Sequence, residues 1–430
     1  SIDGTVPLTF SHTYNSYNTS IDDLFFGLRT TNNVDMTYRP LGPGWSHSYD
    51  CFINLITTGD EERAIVHWGN GKIHVYKKNG GKYEPESIGI YDELQLDKDG
   101  ATIKDKSQIV YKFERLEAEG SGLYYLTAIS DRNSNTLKLE YISGVNGMKV
   151  INTVSDGSRS LTFKYLANTN LLESVKDPLS REIKFGYTYN KNTAEYQLTS
   201  FTDAKGQVTK YTYGDAAKIS TSRLLARVQL PKGNYIENEY DMNRRLQKTV
   251  TGLNSTPTTE TILKVVSQYT DTSVGTSSQV QVVRDGLAMT YNYTYNENNS
   301  ITNITGEEGY EVANSYNDAS QPNLPTAMKS NSSDVEDIKY DSKGNVTSVT
   351  VKSLDGTQSR KVTMTYNSTN DLLSTTDAMG NITKYTYDSR GNLVKIESPE
   401  GVTSTMEVND KGLVTKTTDP MGMDTQFEYN

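Results

Sequence analysis

Apolar and polar residues alternate along most of this chain with a period of two. Thr, Val, Ile and Tyr alternate with polar positions over five to seven residues, and each run stops at a cluster of Asp, Asn and Gly. This pattern predicts short half-buried β-strands joined by tight turns. In the segment from Ala64 to Tyr76, Asn70-Gly71 is a type I′ hairpin signal. A turn centred there pairs Trp68 with Ile73, His67 with His74 and Val66 with Val75, and sets Val66, Trp68, Ile73 and Val75 on one core face. Strong helix formers gather only at Phe113 to Glu119, a stretch too short for a stable helix that runs into Gly120-Ser121-Gly122. The chain therefore reads as all-β.

The strongest pattern is an internal repeat, clearest over residues 366–430. Tyr366-Asn367, Tyr387-Asp388, Val408-Asn409 and Tyr429-Asn430 recur every 21 residues. Four-residue turn units lie between them: Asp377 to Gly380, Asp388 to Gly391, Ser398 to Gly401, Asn409 to Gly412 and Asp419 to Gly422, with glycines 11, 10, 11 and 10 residues apart. Asp, Asn or Ser first and Gly fourth is the preference of a type I turn, and Pro399 and Pro420 fill its second position. Each unit is thus a β-hairpin, and successive hairpins form a meander with strands of about 20 Å. Tyr385 and Tyr387 are two apart and share a face, as do Tyr211 and Tyr213, Tyr187 and Tyr189, and Tyr293 and Tyr295, so stacked units predict tyrosine rows.

Upstream the period drifts but the elements persist, as in Asp203 to Gly206 followed by Tyr213, Tyr240-Asp241 with Leu246, and Tyr340-Asp341 with Gly344. The repeat region is expected over 126–430, after an N-terminal β domain over 1–125. Its Thr/Ser-rich stretch near 251–279 lacks the pattern and reads as an irregular connection or a decorated repeat. The chain stops in mid-repeat at Tyr429-Asn430, as a piece of something longer would.

Composition narrows the function. The 430 residues carry 43 basic and 53 acidic side chains, a net charge of -10, the wrong sign for binding a phosphate backbone. The longest apolar runs, such as Ile262 to Val266, fall far short of the roughly 20 residues of a membrane-spanning helix. Nucleic-acid partners and a membrane span are therefore not expected. The first ten residues have no basic or apolar segment of a secretion signal. A single cysteine, Cys51, leaves no internal disulfide, while 30 Tyr against nine Phe and two Trp suit sheets with one wet face.

The unit Tyr387-Asp388-Ser-Arg-Gly391-Asn-Leu393 resembles the YD repeat of RHS (rearrangement hotspot) and teneurin-type proteins. The segments Val6 to Ser16 and Gly42 to Asp50 resemble the opening of the domain that precedes RHS repeats. The resemblance implies a β-sheet wound as a spiral into a hollow shell. Bacterial members enclose a C-terminal toxin in such a shell, and teneurins use a similar one in adhesion. This chain lacks a variable C-terminal region and the Asp-Pro-x-Gly-Leu processing motif. Asp419 to Met423 approaches that motif but lies in register with Asp377, so it reads as a repeat turn.

Candidate chemistry is sparse. All four histidines, His12, His47, His67 and His74, fall in the first 74 residues. The expected hairpin sets His67 opposite His74, close enough to share a metal, but no third ligand is spaced for it. His47 and Cys51 are four apart, a spacing useful on a helix and not on a strand. Gly44 to Ser48 lacks the second glycine of a nucleophile elbow, and Trp45 reads as an anchor of the N-terminal domain. Asp97 and Asp99 lack the remaining ligands of a calcium loop. Asp377, Asp388 and Asp419 read as turn caps rather than a glycosidase pair.

The expectation is a non-enzymatic shell segment, without cofactor or metal, of a secreted or cell-surface bacterial toxin. Its partner would be its own C-terminal toxin cargo, basic if it complements the acidic wall, with a cell wall or target-cell surface beyond. The alternative on the same repeats is an adhesion or carbohydrate-binding protein that uses the tyrosine faces. Open sheet ends would add a tendency to associate.

Overall fold

The structure is a computed structural model that describes residues 7–19, 39–117, 122–215, 221–242, 244–254, 256–265, 277–284 and 286–429. Among these residues it is β throughout apart from single turns of 3-10 helix. A two-stranded ribbon, β1 (His12–Tyr14) and β2 (Trp45–His47), comes first. Eight strands follow: β3 (Phe52–Thr58), β4 (Glu61–His67), β5 (Ile73–Asn79), β6 (Lys82–Pro85), β7 (Glu93–Leu96), β8 (Gly100–Lys104), β9 (Val110–Glu114) and β10 (Leu123–Ser130). Each pairs antiparallel with the next.

β10 is the branch point of the sheet. One of its edges pairs with β9, from Tyr125 opposite Glu114 to Ser130 opposite Val110. The first half of its other edge returns to β3, with Tyr124 opposite Ile53, which closes the eight strands into a barrel. The second half turns instead to β11 (Thr136–Ser143), with Ile129 opposite Leu137. From β11 one antiparallel meander runs without a crossover to β35 (Asp424–Gln426). A small barrel needs its interior filled by side chains. Ile53, Ala64, Val66, Tyr76, Ile103, Phe113, Tyr124 and Leu126 fill it and are fully buried. The same apolar cluster continues along the meander through Leu139, Phe163, Phe185 and Leu198 to Leu225.

The hairpin at Asn70-Gly71 differs from expectation by one residue. Gly71 alone takes a left-handed φ, 79°, its amide donates to the Trp68 carbonyl at 2.8 Å, and Trp68 N donates to Lys72 O at 2.9 Å. The loop is therefore the three residues Gly69 to Gly71, a turn closed by a left-handed glycine, and not a two-residue type I′ turn. Gly69 is required there because a Cβ would lie 2.3 Å from the His47 carbonyl oxygen. A slip of one residue exchanges faces. Val66 now opposes His74 and His67 opposes Ile73, so the two histidines lie on opposite faces and cannot share a metal. His67 stacks on Phe52 at 4.3 Å, and His74 Nδ1 lies 3.5 Å from Asp92.

The stretch near 251–279 also differs. Thr256–Val265 pairs with Leu246–Leu253 on one side and Ser277–Arg284 on the other, as a continuous part of the meander. Threonine is β-branched and suits a strand without any Asp/Gly turn signal. Residues 266–276 of that stretch lie outside the described residues.

Each repeat is built from a turn, a bulge and a tyrosine. In the turn the first Asp accepts two backbone amides on its carboxylate, Met379 and Asn381 on Asp377 and Arg390 and Asn392 on Asp388. The register then slips by one residue at the next tyrosine: Thr386 opposes Lys395 but Tyr387 opposes Leu393. The same bulge recurs at Tyr165, Tyr187, Tyr213, Tyr240, Tyr295, Tyr340, Tyr366 and Val408. The next strand's tyrosine hydroxyl donates to the carbonyl of the residue at the bulge. Tyr141, Tyr165, Tyr187, Tyr213, Tyr240, Tyr316, Tyr387 and Tyr429 make this bond over 2.6–3.0 Å, and Tyr340 makes a similar one at 2.7 Å to the Pro325 carbonyl, ahead of the strand Ala327–Ser330. Of the tyrosine pairs expected to be equivalent, 187 and 189 are not. Tyr187 matches Tyr387 in the repeat and its inner neighbour is Phe185, whereas Tyr189 lies 48% exposed further along the strand.

Val408 holds the tyrosine position and has no hydroxyl for the Leu393 carbonyl. Val408→Tyr is expected to stabilise the chain, and Tyr387→Phe to destabilise it, each by about 1 kcal/mol; chemical denaturation midpoints check both. Burial also raises the Tyr240 phenol to about 12 and drives those of Tyr187 and Tyr213 up from 10.0. The unfolded phenols ionise first, so this stabilisation is complete below pH 10 and is lost as the pH rises through the folded values. Stability measured against pH should stay level to about pH 9 and fall steeply above pH 10; a level profile to pH 12 would contradict this.

Candidate functional site

The apolar face of the meander and the contact between its windings are the features that function can draw on. The ribbon β1–β2 lies on this inner face. Phe10 packs on Phe163 and Phe185 at 5.9 Å, and Trp45 on Tyr211 at 4.8 Å with its Nε1 donating to Tyr213 Oη at 2.8 Å. Trp45 thus fixes the ribbon to the repeat sheet. The Tyr14 hydroxyl donates to the Arg223 carbonyl and accepts the Leu225 amide, both at 2.9 Å. Over residues 282–429 the repeats present Tyr291, Tyr293, Tyr366, Tyr385 and Tyr387 half-buried, without that ribbon over them.

Turns alternate between two rims of the sheet, and one rim meets the other after a full winding. The Arg132 guanidinium, in the turn after β10, pairs with Asp371 at 2.6 Å and donates to the carbonyls of Gly391 and Thr369, both at 3.1 Å. Asn133 and Asn392 exchange amide hydrogen bonds at 2.9 and 2.8 Å, and Asn135 donates to Lys411 O at 2.9 Å. Further along, Asn370 donates to Lys106 O, and Tyr91 to Gln321 at 2.5 Å. These partners are 230–276 residues apart. A cleft of about 460 Å³ opens at this seam between Lys104, Asp131, Arg132, Asp371, Asp388 and Arg390. Burial raises the Asp371 carboxyl, but hydrogen bonds from Arg132, Asn367 and Thr369 more than offset it and hold it below the usual range.

The repeat-defining residues divide between the rims. Asp388, Gly391 and Gly412 lie at the seam, where Gly391 is against Arg132 and Gly412 against Asn133. Asp377, Gly380, Gly401, Asp419 and Gly422 form turns on the opposite rim, and each of these glycines takes a left-handed φ of 79–84°. Tyr366, Tyr385, Tyr387 and Tyr429 belong to the strands between. Asp419 to Met423 is a repeat turn, with Gly422 N donating to Asp419 O at 3.0 Å. Arg132, Asn133 and Asn135 were not singled out from sequence, where they are ordinary turn residues. Among the described residues no three His, Cys, Asp or Glu side chains gather as a metal site. The hydroxyls of Tyr387 and Tyr429 are engaged by the carbonyls of Leu372 and Val414 at 2.9 and 2.7 Å, whereas Tyr291, Tyr293, Tyr366 and Tyr385 present half-buried rings.

A single antiparallel meander of Asp/Gly-turn hairpins that closes into a barrel-like shell defines a β-repeat shell protein. Residues 366–403 match the family model for the RHS Repeat. The chain's fold is similar to the crystal structure of TcdB2-TccC3-Cdc42, with 8% identity, 89% of this chain and 25% of that chain covered, and a TM-score of 0.42. It is similar also to TcdB2-TccC3, with 8% identity, 89% and 25% coverage and a TM-score of 0.38. A third similar structure is the Photorhabdus luminescens Tc holotoxin pore, with 9% identity, 89% and 27% coverage and a TM-score of 0.28. The chain spans about a quarter of the length of those it matches. No curated protein matches it.

Arg132→Ala removes the ion pair and two carbonyl contacts at the seam while leaving each winding's own ladder intact. It should cost about 1–3 kcal/mol and raise hydrogen exchange at Asn367 to Asp371 and Asp388 to Asn392; unchanged exchange there would show that Arg132 does not hold the windings together.

Proposed function

We propose that this chain is a structural, non-enzymatic segment of the shell of a secreted or cell-surface RHS-type polymorphic toxin, whose wall encloses a C-terminal toxin domain. In this reading residues 1–125 cap the shell and residues 126–430 form its wall. The observation that carries it is the seam: Arg132 clasping Asp371, Gly391 and Thr369 holds the meander as a curled wall with its aromatic face turned inward. An acidic wall of net charge -10 suits a basic cargo. The adhesion or sugar-binding alternative would use the half-buried rings of Tyr291, Tyr293, Tyr366 and Tyr385 as its surface.

The test is to express the chain together with whatever its gene encodes after Asn430 and to challenge it with protease. Enclosure predicts that a following domain unrelated to the repeats survives digestion while the shell is closed and is degraded once the shell is opened at pH 11. Modules beyond the repeats that are cleaved at once from the closed shell, and that bind wall polysaccharide, would replace this reading with the adhesin.

A further inference from the structure

The ribbon on the inner face is joined at a pair of histidines. His12 stands directly opposite His47 in the β1–β2 register. His47 is fully buried, stacked on Phe10 at 5.3 Å and tilted against Phe163 at 6.0 Å. Its Nδ1 accepts the Tyr49 amide at 3.3 Å, so the neutral ring carries its hydrogen on Nε2, which has no hydrogen-bond partner. The His12 ring lies 4.8 Å from Phe201, 5.3 Å from Trp45 and 5.7 Å from Phe185, with Nε2 2.9 Å from Tyr211 Oη.

A second proton on His47 has only Nδ1 to occupy. That atom faces a backbone N–H, so donor would meet donor and a cation would sit among aromatic rings. The titratable groups around the pair do not relieve this. Tyr211 and Tyr213 come from the sheet, Tyr49, Asp50 and Cys51 from the segment after β2, and the Arg223–Glu195 ion pair lies toward the Tyr14 end. No carboxylate contributes to the shift of either ring: burial lowers His12 to about 4, and burial together with His12 lowers His47 to about 3.

We propose that the β1–β2 ribbon is an acid-released plug, expelled from the inner face when the His12–His47 pair is protonated while the repeat sheet stays folded. Both rings bind a proton more weakly seated than free. Seating is therefore fully favoured above the ordinary value of 6.5 and weakens as the pH falls toward the seated values. Each histidine reduces the seating constant by up to about tenfold per pH unit between the ordinary and the seated value, so the pair reduces it by roughly fiftyfold per unit from pH 6 to pH 4. The sheet weakens only at lower pH: the stability contributed by Asp156, held at about 2, and by Asp371 and Asp388, held below the usual carboxylate range, is present above the ordinary carboxylate value and is lost as the pH falls below it. This inference is independent of what the shell encloses.

Hydrogen exchange of the whole chain at pH 7 and pH 4.5, corrected for intrinsic rates, tests it alongside the double variant His12→Phe/His47→Phe. Release predicts that peptides over residues 12–14 and 45–47 lose protection at pH 4.5 in the wild type, that residues 366–429 keep it, and that the double variant keeps both. Retained ribbon protection in the wild type, equal loss in the double variant, or unfolding of the sheet at the same pH would each overturn the proposal. If the variant does not fold, NMR of the four histidines in the wild type decides. Two imidazoles that stay neutral until ribbon protection is lost support release, whereas both titrating near 6.5 with the ribbon still protected refutes it.

Discussion

A backbone carbonyl left over by a bulge has to find a donor, and in this sheet the donor is a tyrosine hydroxyl about fifteen residues further on. The Leu372 carbonyl is the clearest instance. Tyr366 opposes Leu372 across the bulge, the ladder to the next strand stops at Ser374 opposite Lys384, and Tyr387 Oη closes the remaining gap at 2.9 Å. Without that hydroxyl the bulge would leave a polar atom unpaired on the half-buried face of a thin sheet, at a cost of about 1–3 kcal/mol. Among the described residues, eight of the 30 tyrosines, Tyr141, Tyr165, Tyr187, Tyr213, Tyr240, Tyr316, Tyr387 and Tyr429, make this bond. The ring supplies apolar area, and where the hydroxyl is present it makes the bulge tolerable.

Bulges increase the local right-handed twist. Here they recur in most hairpins beside one rim, the one whose turns carry the Tyr-Asp pair, as at Tyr165, Tyr187, Tyr213, Tyr366 and Tyr387, with further bulges at Thr251/Gly252 and Val335/Asp337. Curvature of one sign, added hairpin after hairpin, brings that rim back against the opposite rim of the first strands. The clasp of Arg132 on Asp371 and the amide exchange between Asn133 and Asn392 are the outcome. The eight-stranded barrel and the wound sheet are continuous through β10, whose outer edge is divided between β3 and β11. The ribbon crosses this continuity from the inside, so Phe10 and Trp45 share one apolar cluster with Phe163 and Phe185.

Most of the repeat was legible in the chain itself. Asp377, Asp388 and Asp419 are turn caps and their fourth-position glycines are left-handed, because that chemistry acts over four residues and needs nothing distant. The tyrosine rows were legible as rows. Their hydroxyl bonds were not, because the accepting carbonyl lies on another strand and its availability depends on a slip in register that no spacing reveals. Asn70-Gly71 misled for the same kind of reason: the close approach of Gly69 to His47 lengthens the loop by one residue and sends His67 and His74 to opposite faces.

What the sequence determined by itself, then, is everything that acts within one hairpin: strand period, turn position, the shared face of Tyr385 and Tyr387, and the all-β class. Tertiary structure alone decided which rim meets which, that Arg132 is a clasp rather than an ordinary turn residue, and that His12 and His47 are enclosed by rings contributed from strands up to 199 residues away. The physical reason is range. Turn propensity and alternation are local free energies, whereas burial and electrostatic environment are set by whichever surfaces the accumulated twist brings together.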